Sequence, residues 1–376
     1  MEDVGQTIAT RPPGSCQAGT LEMRLDRSLA AADSLALDAT LVTSDESIAY
    51  LTGLHVMQLE RFFGVVLRHR EAALIVPALD EGQLDGAPAR LKRVSYQADS
   101  DGIPELVSAL ADARTVGVDE DHLIYSRARA LADSGFELIP AASVVLALRI
   151  RKDAGEIERI RSACELIEEG LGRMFAGLRV GVTEHAASAR VEAWLREQGA
   201  SEAHPLILFG ENAANPHAAP GVRELRAGDV VCADLSACLD DYWGDLTRCG
   251  TAGAASEWAQ RAWEVVREAQ RAAIGATRVG VPAREVDRAQ REIVEAAAEL
   301  GACLHGAGHA IGLGVHEPPF LVPRTRESLP EGCVLTIEPG LYKAGVGGIR
   351  LEDDVVVREA GAELLSSLPL DLVEVG

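Results

Sequence analysis

Basic residues are scarce in this chain. Over 376 residues, 36 Lys and Arg stand against 58 Asp and Glu, for a formal charge of −22. A protein that grips phosphate backbones needs a basic footprint, so nucleic acid is excluded as a principal partner, and docking on anionic lipid is excluded on the same ground. Long apolar runs are missing too. None approaches the roughly 18–20 residues of a membrane helix, so no membrane association is expected. Residues 1–20 carry two early acids and no apolar h-region, which rules out a secretory signal; Pro12-Pro13-Gly14 and small polar residues predict a flexible leader. The seven cysteines (Cys16, Cys164, Cys232, Cys238, Cys249, Cys303, Cys333) are odd in number and contain no CxxC. That spacing excludes a disulfide framework and a zinc knuckle, and reads as reduced thiols in a cytoplasmic protein.

What is present is an ordinary globular balance, 47% apolar and 25% charged, in a chain long enough for two or three domains. From Leu21 the pattern alternates. MRLDRSLAAADSLAL, IPELVSALADA and YSRARALADSG read as helices; ATLVTS, FFGVVLRH, AALIVPA and TVGVDE read as strands. Alternation of this kind predicts an α/β domain over 21–152. A break falls near Arg151-Lys152-Asp153, where Asp153 is placed to cap a helix carrying Ile157, Ile160, Ala163, Cys164 and Ile167 on one stripe. A second domain is expected over 153–376. It contains an internal echo. Arg179-Val180-Gly181-Val182 returns 99 residues later (179 to 278) as Arg278-Val279-Gly280-Val281, each copy followed by a helix pattern. LRAGDVVCAD aligns with LPEGCVLTIE at a separation of 104 (225 to 329), which sets Asp234 on Glu338. Two helix–strand halves related by a pseudo-two-fold axis would each deliver a carboxylate to a shared centre.

Around that centre the acids are unusual. Asp234 ends an apolar strand pattern, Asp245 follows eleven residues on, Glu338 ends VLTI, and Glu352 precedes a valine run. Alternation along GIRLEDDVVV puts Arg350, Glu352 and Asp354 on one strand face. Converging buried carboxylates are costly unless cations neutralise them. His305, His309 and His316 fall within twelve glycine-spaced residues, HGAGHAIGLGVH. A helical HExxH zinc site is rejected, because GAG disfavours a helix and the glutamate is missing. Four oxygen donors and the His309 imidazole suit Mn²⁺, Co²⁺, Fe²⁺ or Zn²⁺, Mn²⁺ best by ligand hardness. Five such ligands exceed one closed site and point to two metals about 3.5–4 Å apart.

DLSACLDDYWGDLTR, HGAGHAIGLGVHEPP, TIEPGLY and GIRLEDDVVV occur in the order found in the pita-bread metallopeptidases, which the second domain resembles: methionine aminopeptidase, aminopeptidase P, prolidase and creatinase. The first domain, with Tyr50-Leu51-Thr52-Gly53, is similar to the creatinase-type N-terminal domain. The resemblance implies a creatinase-like α/β domain followed by a pita-bread catalytic domain. It implies that Asp234 chelates one metal, that Asp245 and Glu352 bridge both, and that His309 and Glu338 hold the second. His217, His305 and His316 would face substrate, and Arg350 matches an arginine of the proline-specific members. Glu338 would shuttle the proton, His316 would stabilise the oxyanion, and His217 and Arg350 would orient short proline-containing peptides. Ser236 stands where the family has glycine, and Cys249 where threonine is common. Trp243, Phe209 and Tyr342 lie near the motifs but read equally well as core. The implied activity is hydrolysis of Xaa–Pro bonds, with the chain's modest length leaning to a dipeptidase of bacterial type over an aminopeptidase P. Methionine aminopeptidase ranks low, because it lacks such a first domain. Another small-amide hydrolase or lyase, or a peptide-binding module, are the readings from other classes. A homodimer is expected by resemblance; His55 and Arg61 read first as ordinary surface residues, with a reach into the partner's site as the alternative.

Overall fold

The computed structural model describes residues 18–55, 61–84 and 86–376. Of the expected leader, positions 1–17 lie outside these residues, and Ala18–Thr20 already belong to a helix. The described chain falls into two compact units, one reaching to Arg149 and the other spanning Ile150–Gly376.

In the first unit, α1 (Ala18–Ser34) precedes β1 (Ala39–Val42), α2 (Asp45–Thr52), β2 (Gly64–Arg68), β3 (Glu71–Pro77), β4 (Lys92–Tyr96), α3 (Ile103–Leu110), β5 (Thr115–Val118), α4 (Tyr125–Asp133), β6 (Glu137–Pro140) and α5 (Ser143–Arg149). The sheet runs β4-β3-β2-β1-β5-β6. β1 (Ala-Thr-Leu-Val) and the Gly-Val-Val-Leu run of β2 are buried on both faces, as strands in the middle of a covered sheet are. His69 and Arg70, both at positive φ, turn the β2–β3 hairpin. The core here gathers Leu41, Val66, Ile75, Leu106, Leu110, Val116 and Leu131.

The second unit begins with α6 (Ala154–Gly177) and α7 (Glu184–Glu197), followed by β7 (Glu202–Phe209), β8 (Val230–Leu239) and β9 (Tyr242–Ala252). Then come α8 (Glu257–Ala276), α9 (Ala283–Ala296), β10 (Gly308–Ala310), β11 (Glu317–Leu321), β12 (Val334–Ile337), β13 (Gly340–Lys343), β14 (Gly347–Arg350), β15 (Asp353–Arg358), β16 (Gly361–Leu364) and β17 (Val373–Val375). Asp153 caps α6 through a full capping box with Glu156. The apolar stripe of α6, including the fully buried Ile160, Cys164 and Ile167, packs on β8 and β9. Each of its isoleucines contributes about 1.5–3 kcal/mol by leaving water. The helix sits close because residue 244 is glycine: a Cβ there would meet the Cys164 backbone nitrogen at 2.9 Å.

The sequence echo has a structural counterpart. Gly181 N–H donates to Leu225 O (2.9 Å) and Leu225 N–H to Val182 O (2.8 Å); Gly280 N–H donates to Leu329 O and Leu329 N–H to Val281 O, both at 2.9 Å. Thus the two repeated motifs hydrogen-bond to each other, in the same way, in both halves. The sheets follow suit: β7-β8-β9 and β10-β12-β15 are antiparallel successions in equivalent order. Among the described residues no helix is long and apolar enough to cross a membrane.

One expectation from alternation is corrected. Arg350, Glu352 and Asp354 do not share the face of a single strand, because the chain leaves β14 at Arg350 and enters β15 at Asp353. The partner changes between them, β14 pairing with β13 and β15 with β12, so Leu351 and Glu352 form the crossing between two ladders.

Candidate functional site

The registers of β7, β8 and β9 lay out one face of their sheet as a grid, since side chains two apart on a strand share a face. Leu208, Cys232 and Cys249 form one row; Leu206, Asp234 and Thr247 the next; His204, Ser236 and Asp245 the third; Glu202, Cys238 and Trp243 the last. Asp234 and Asp245 therefore project from adjacent strands in neighbouring rows. From the other half, His309 comes from β10, Glu338 follows β12, and Glu352 sits at the β14–β15 crossing. Gly308 makes the approach of β10 possible: its φ is +147, and a Cβ would lie 2.1 Å from Thr336 O.

These elements enclose a cavity of about 280 Å³ lined by Asp234, Asp245, His309, Glu338, Glu352, His217, His305, His316 and Arg350. All nine residues singled out from sequence therefore share it. Ligand atoms of Asp245, His309 and Glu352 lie within 4.8 Å of one another. Asp245 Oδ1 is buried with no hydrogen-bond partner. Burial first, and then the neighbouring carboxylates of Glu352, Asp234, Asp354 and Glu338, raise the pKa of Asp245 well above its usual range. Glu352 is raised by burial and by Glu338 and Asp234, and Glu338 reaches about 7 through burial and Asp234, against the pull of Arg350. His309 is lowered to about 4 by burial and by His316, which keeps its imidazole neutral and ligand-competent. Orphaned oxygen, crowded carboxylates and neutral imidazole together fit divalent cations.

Arg350, expected to orient substrate, is taken up by the protein. Its Nη2 donates to Asp234 Oδ2 (2.6 Å), Nη1 to the Tyr342 hydroxyl (2.9 Å) and Nε to Thr247 Oγ1 (3.1 Å). Tyr342 lies 2.7 Å from His305 Nε2, and His305 Nδ1 lies 2.8 Å from Gly306 O. Burial and the Arg350 charge lower His305 to about 4, so the neutral ring donates from Nδ1 and accepts the tyrosine proton at Nε2. Thr247 Oγ1 donates to Glu352 Oε2 (2.6 Å), which ties both carboxylate groups into one network. Tyr342 and Thr247 thus belong to the site. Phe209 is core, fully buried in the α6–β8 cluster, and Trp243 is buried beneath His204. His55 and Arg61 are exposed residues of the other unit.

His316 sits on the glycine loop between β10 and β11, its ring 4.2 Å from that of His309. The loop is pinned from below. Glu317 Oε1 accepts from Gly314 N (3.0 Å), Oε2 accepts from Lys152 Nζ (3.0 Å), and both charged side chains are 2% exposed. Trp243 N–H donates to Gly312 O at 2.8 Å. His217 is exposed on the loop after β7, whose two ends are gathered by the fully buried Glu184: it accepts from Phe209 N, Asn212 Nδ2 and Gly221 N at 2.8–3.0 Å. His204, Leu206, Ser236 and Val315 also line the cavity and were missed from sequence. Period-two alternation on β7 would have found the first two, given its register to β8.

Comparison with known proteins agrees with this geometry. Residues 158–359 match metallopeptidase family M24, and residues 24–151 match the creatinase/prolidase N-terminal domain. The structure is similar to dipeptidase PepE from Mycobacterium ulcerans, with 30% identity, a TM-score of 0.88, and 96% of this chain and 99% of that one covered. It is also similar to an Xaa-Pro dipeptidase from Bacillus anthracis (26% identity, TM-score 0.86, 94% and 99% covered). An X-Pro aminopeptidase from Thermotoga maritima MSB8 gives 28% identity and a TM-score of 0.80, with 92% and 99% covered.

Proposed function

Because this chain belongs to metallopeptidase family M24, we propose that it hydrolyses Xaa–Pro bonds as a dipeptidase, with two divalent cations, Mn²⁺ by preference. What carries the reading is the convergence of four carboxylates and one neutral imidazole on a single cavity lined by four further histidines. Asp234 and Asp245 would hold one cation and His309 and Glu338 the other, with Asp245 and Glu352 reaching both. Cations held there supply Lewis acidity and bring the pKa of a water down to about 7.

The chain's own groups do the rest. A Glu338 oxygen takes the proton of the attacking water and returns it to the proline nitrogen, which has no N–H and leaves only once protonated. His316 donates a hydrogen bond to the oxygen that becomes negative as the carbonyl turns tetrahedral. His217, on its exposed loop, meets the proline carboxylate. Arg350 acts through others: pinned to Asp234, Thr247 and Tyr342, it fixes the Asp234 carboxylate and holds His305 in one tautomer through Tyr342.

A matched series of Ala-Pro and Ala-Pro-Ala, incubated with Mn²⁺ or with chelator, tests the assignment. Metal-dependent release of proline from the dipeptide alone supports it. Preference for the tripeptide moves the chain to the aminopeptidases, and silence on both overturns the substrate class.

A further inference from the structure

The cavity has two chemically different ends along the sheet. Arg350, Tyr342 and His305 cluster beside the rows of Asp234 and Cys249, with Cys249 Sγ donating to Arg350 O (3.3 Å). His204 and Ser236 sit in the Asp245 row, on the far side of Asp234 and one step from Trp243; each step of two residues is about 7 Å. If the proline ring takes the first end, the side chain of Xaa takes the second.

Both residues there carry unspent hydrogen-bonding capacity. Among the described residues neither the His204 ring nor the Ser236 hydroxyl has a hydrogen-bond partner. His204 packs against Trp243, centroids 5.0 Å apart and planes tilted by 37°, and lines the cavity. Its nearest charged neighbour is Glu202, at 3.7 Å and so too far for a hydrogen bond. Ser236 is a cross-strand neighbour of His204, in a position where the resembled family carries glycine. An imidazole and a hydroxyl each donate and accept.

We propose that His204 and Ser236 select the first residue of the peptide, favouring a carboxamide side chain, Asn or Gln. A carboxamide donates and accepts, matching both groups at once. A carboxylate guest would meet the Glu202 carboxylate beside His204, and an aliphatic guest would displace water from both polar groups without replacing its hydrogen bonds. The inference rests on the dipeptidase reading.

Leu-Pro, Asn-Pro and Asp-Pro are nearly isosteric and separate these chemistries. With the Mn²⁺-loaded full chain, kcat/KM for Asn-Pro is expected to exceed that for Leu-Pro by about tenfold, the worth of one or two hydrogen bonds. Asp-Pro should fall below Asn-Pro. In His204→Phe, which keeps the packing, and in Ser236→Ala, which keeps the strand, the Asn-Pro advantage should shrink to within about threefold while Leu-Pro turnover and metal content persist. Hydrolysis of Leu-Pro with no Asn-Pro advantage, or an advantage unchanged in both variants, overturns the specificity assignment alone. Failure to cleave any of the three dipeptides overturns the dipeptidase reading and the inference with it.

Discussion

Asp245 illustrates how a single buried residue reports chemistry. Its Oδ1 has no protein partner, yet it sits among Glu352, Asp234, Asp354 and Glu338, each of which raises its pKa. Five acids so arranged must be neutralised by protons or by cations, and cations let them stay ionised near neutral pH. Glu338→Ala should lower kcat by at least ~10²–10⁴-fold, the usual worth of a general acid–base, while far-UV circular dichroism stays unchanged. Retained turnover would refute its proton-carrying role. The Lys152–Glu317 pair makes a second case. The chain holds only three lysines, Lys92, Lys152 and Lys343, and one of them is buried against the loop that bears His316. Lys152→Met and Glu317→Leu should each cost about 3–5 kcal/mol by stranding a buried charge, and the double variant should cost less than their sum. Urea denaturation of the four proteins measures this; strict additivity would mean that the pair is not coupled.

Elements are where the sequence was most and least readable. The Asp153 cap, the α6 stripe and the strands β1, β2, β3 and β5 were legible because periodicity and capping are local. The repeated Arg-Val-Gly-Val was legible as an echo, but not as a hydrogen-bonding partner of the other repeat, since pairing between segments leaves no local signal. In both copies glycine is needed at positive φ, +91 at Gly181 and +82 at Gly280. Gly181→Ala and Gly280→Ala should each cost about 1 kcal/mol or more, and by similar amounts. Widely unequal denaturation midpoints would show that the two halves do not share this turn. Register is the other hidden quantity. The motifs named Asp234 and Asp245, but only the pairing of β7 with β8 put His204 beside Ser236, and only the switch of partner between β14 and β15 separated Arg350 from Asp354. The hydrogen bonds of Arg350 were hidden for the same reason: its three partners come from three separate strands.

Across the whole molecule, the family and the two-part α/β architecture were accessible because the motifs stand in the family's order, and the nine residues read from them line one cavity; the internal echo by itself related only Asp234 to Glu338. Stability of the whole should depend on the cations. Ligands that bind only the folded state stabilise it by about 4 kcal/mol at a thousand times Kd, so chelation should lower the Tm markedly and added Mn²⁺ restore it. A Tm indifferent to chelator would argue that the acids stand without metal. Two cations in this cavity should be what enables it to hydrolyse a proline peptide, and one titration tests that directly: chelated, desalted protein is titrated with Mn²⁺ while proline release from Ala-Pro is followed. Activity rising to its plateau at two equivalents per chain is the expected result. Full activity in the chelated protein, or two bound equivalents with no proline released, would contradict it.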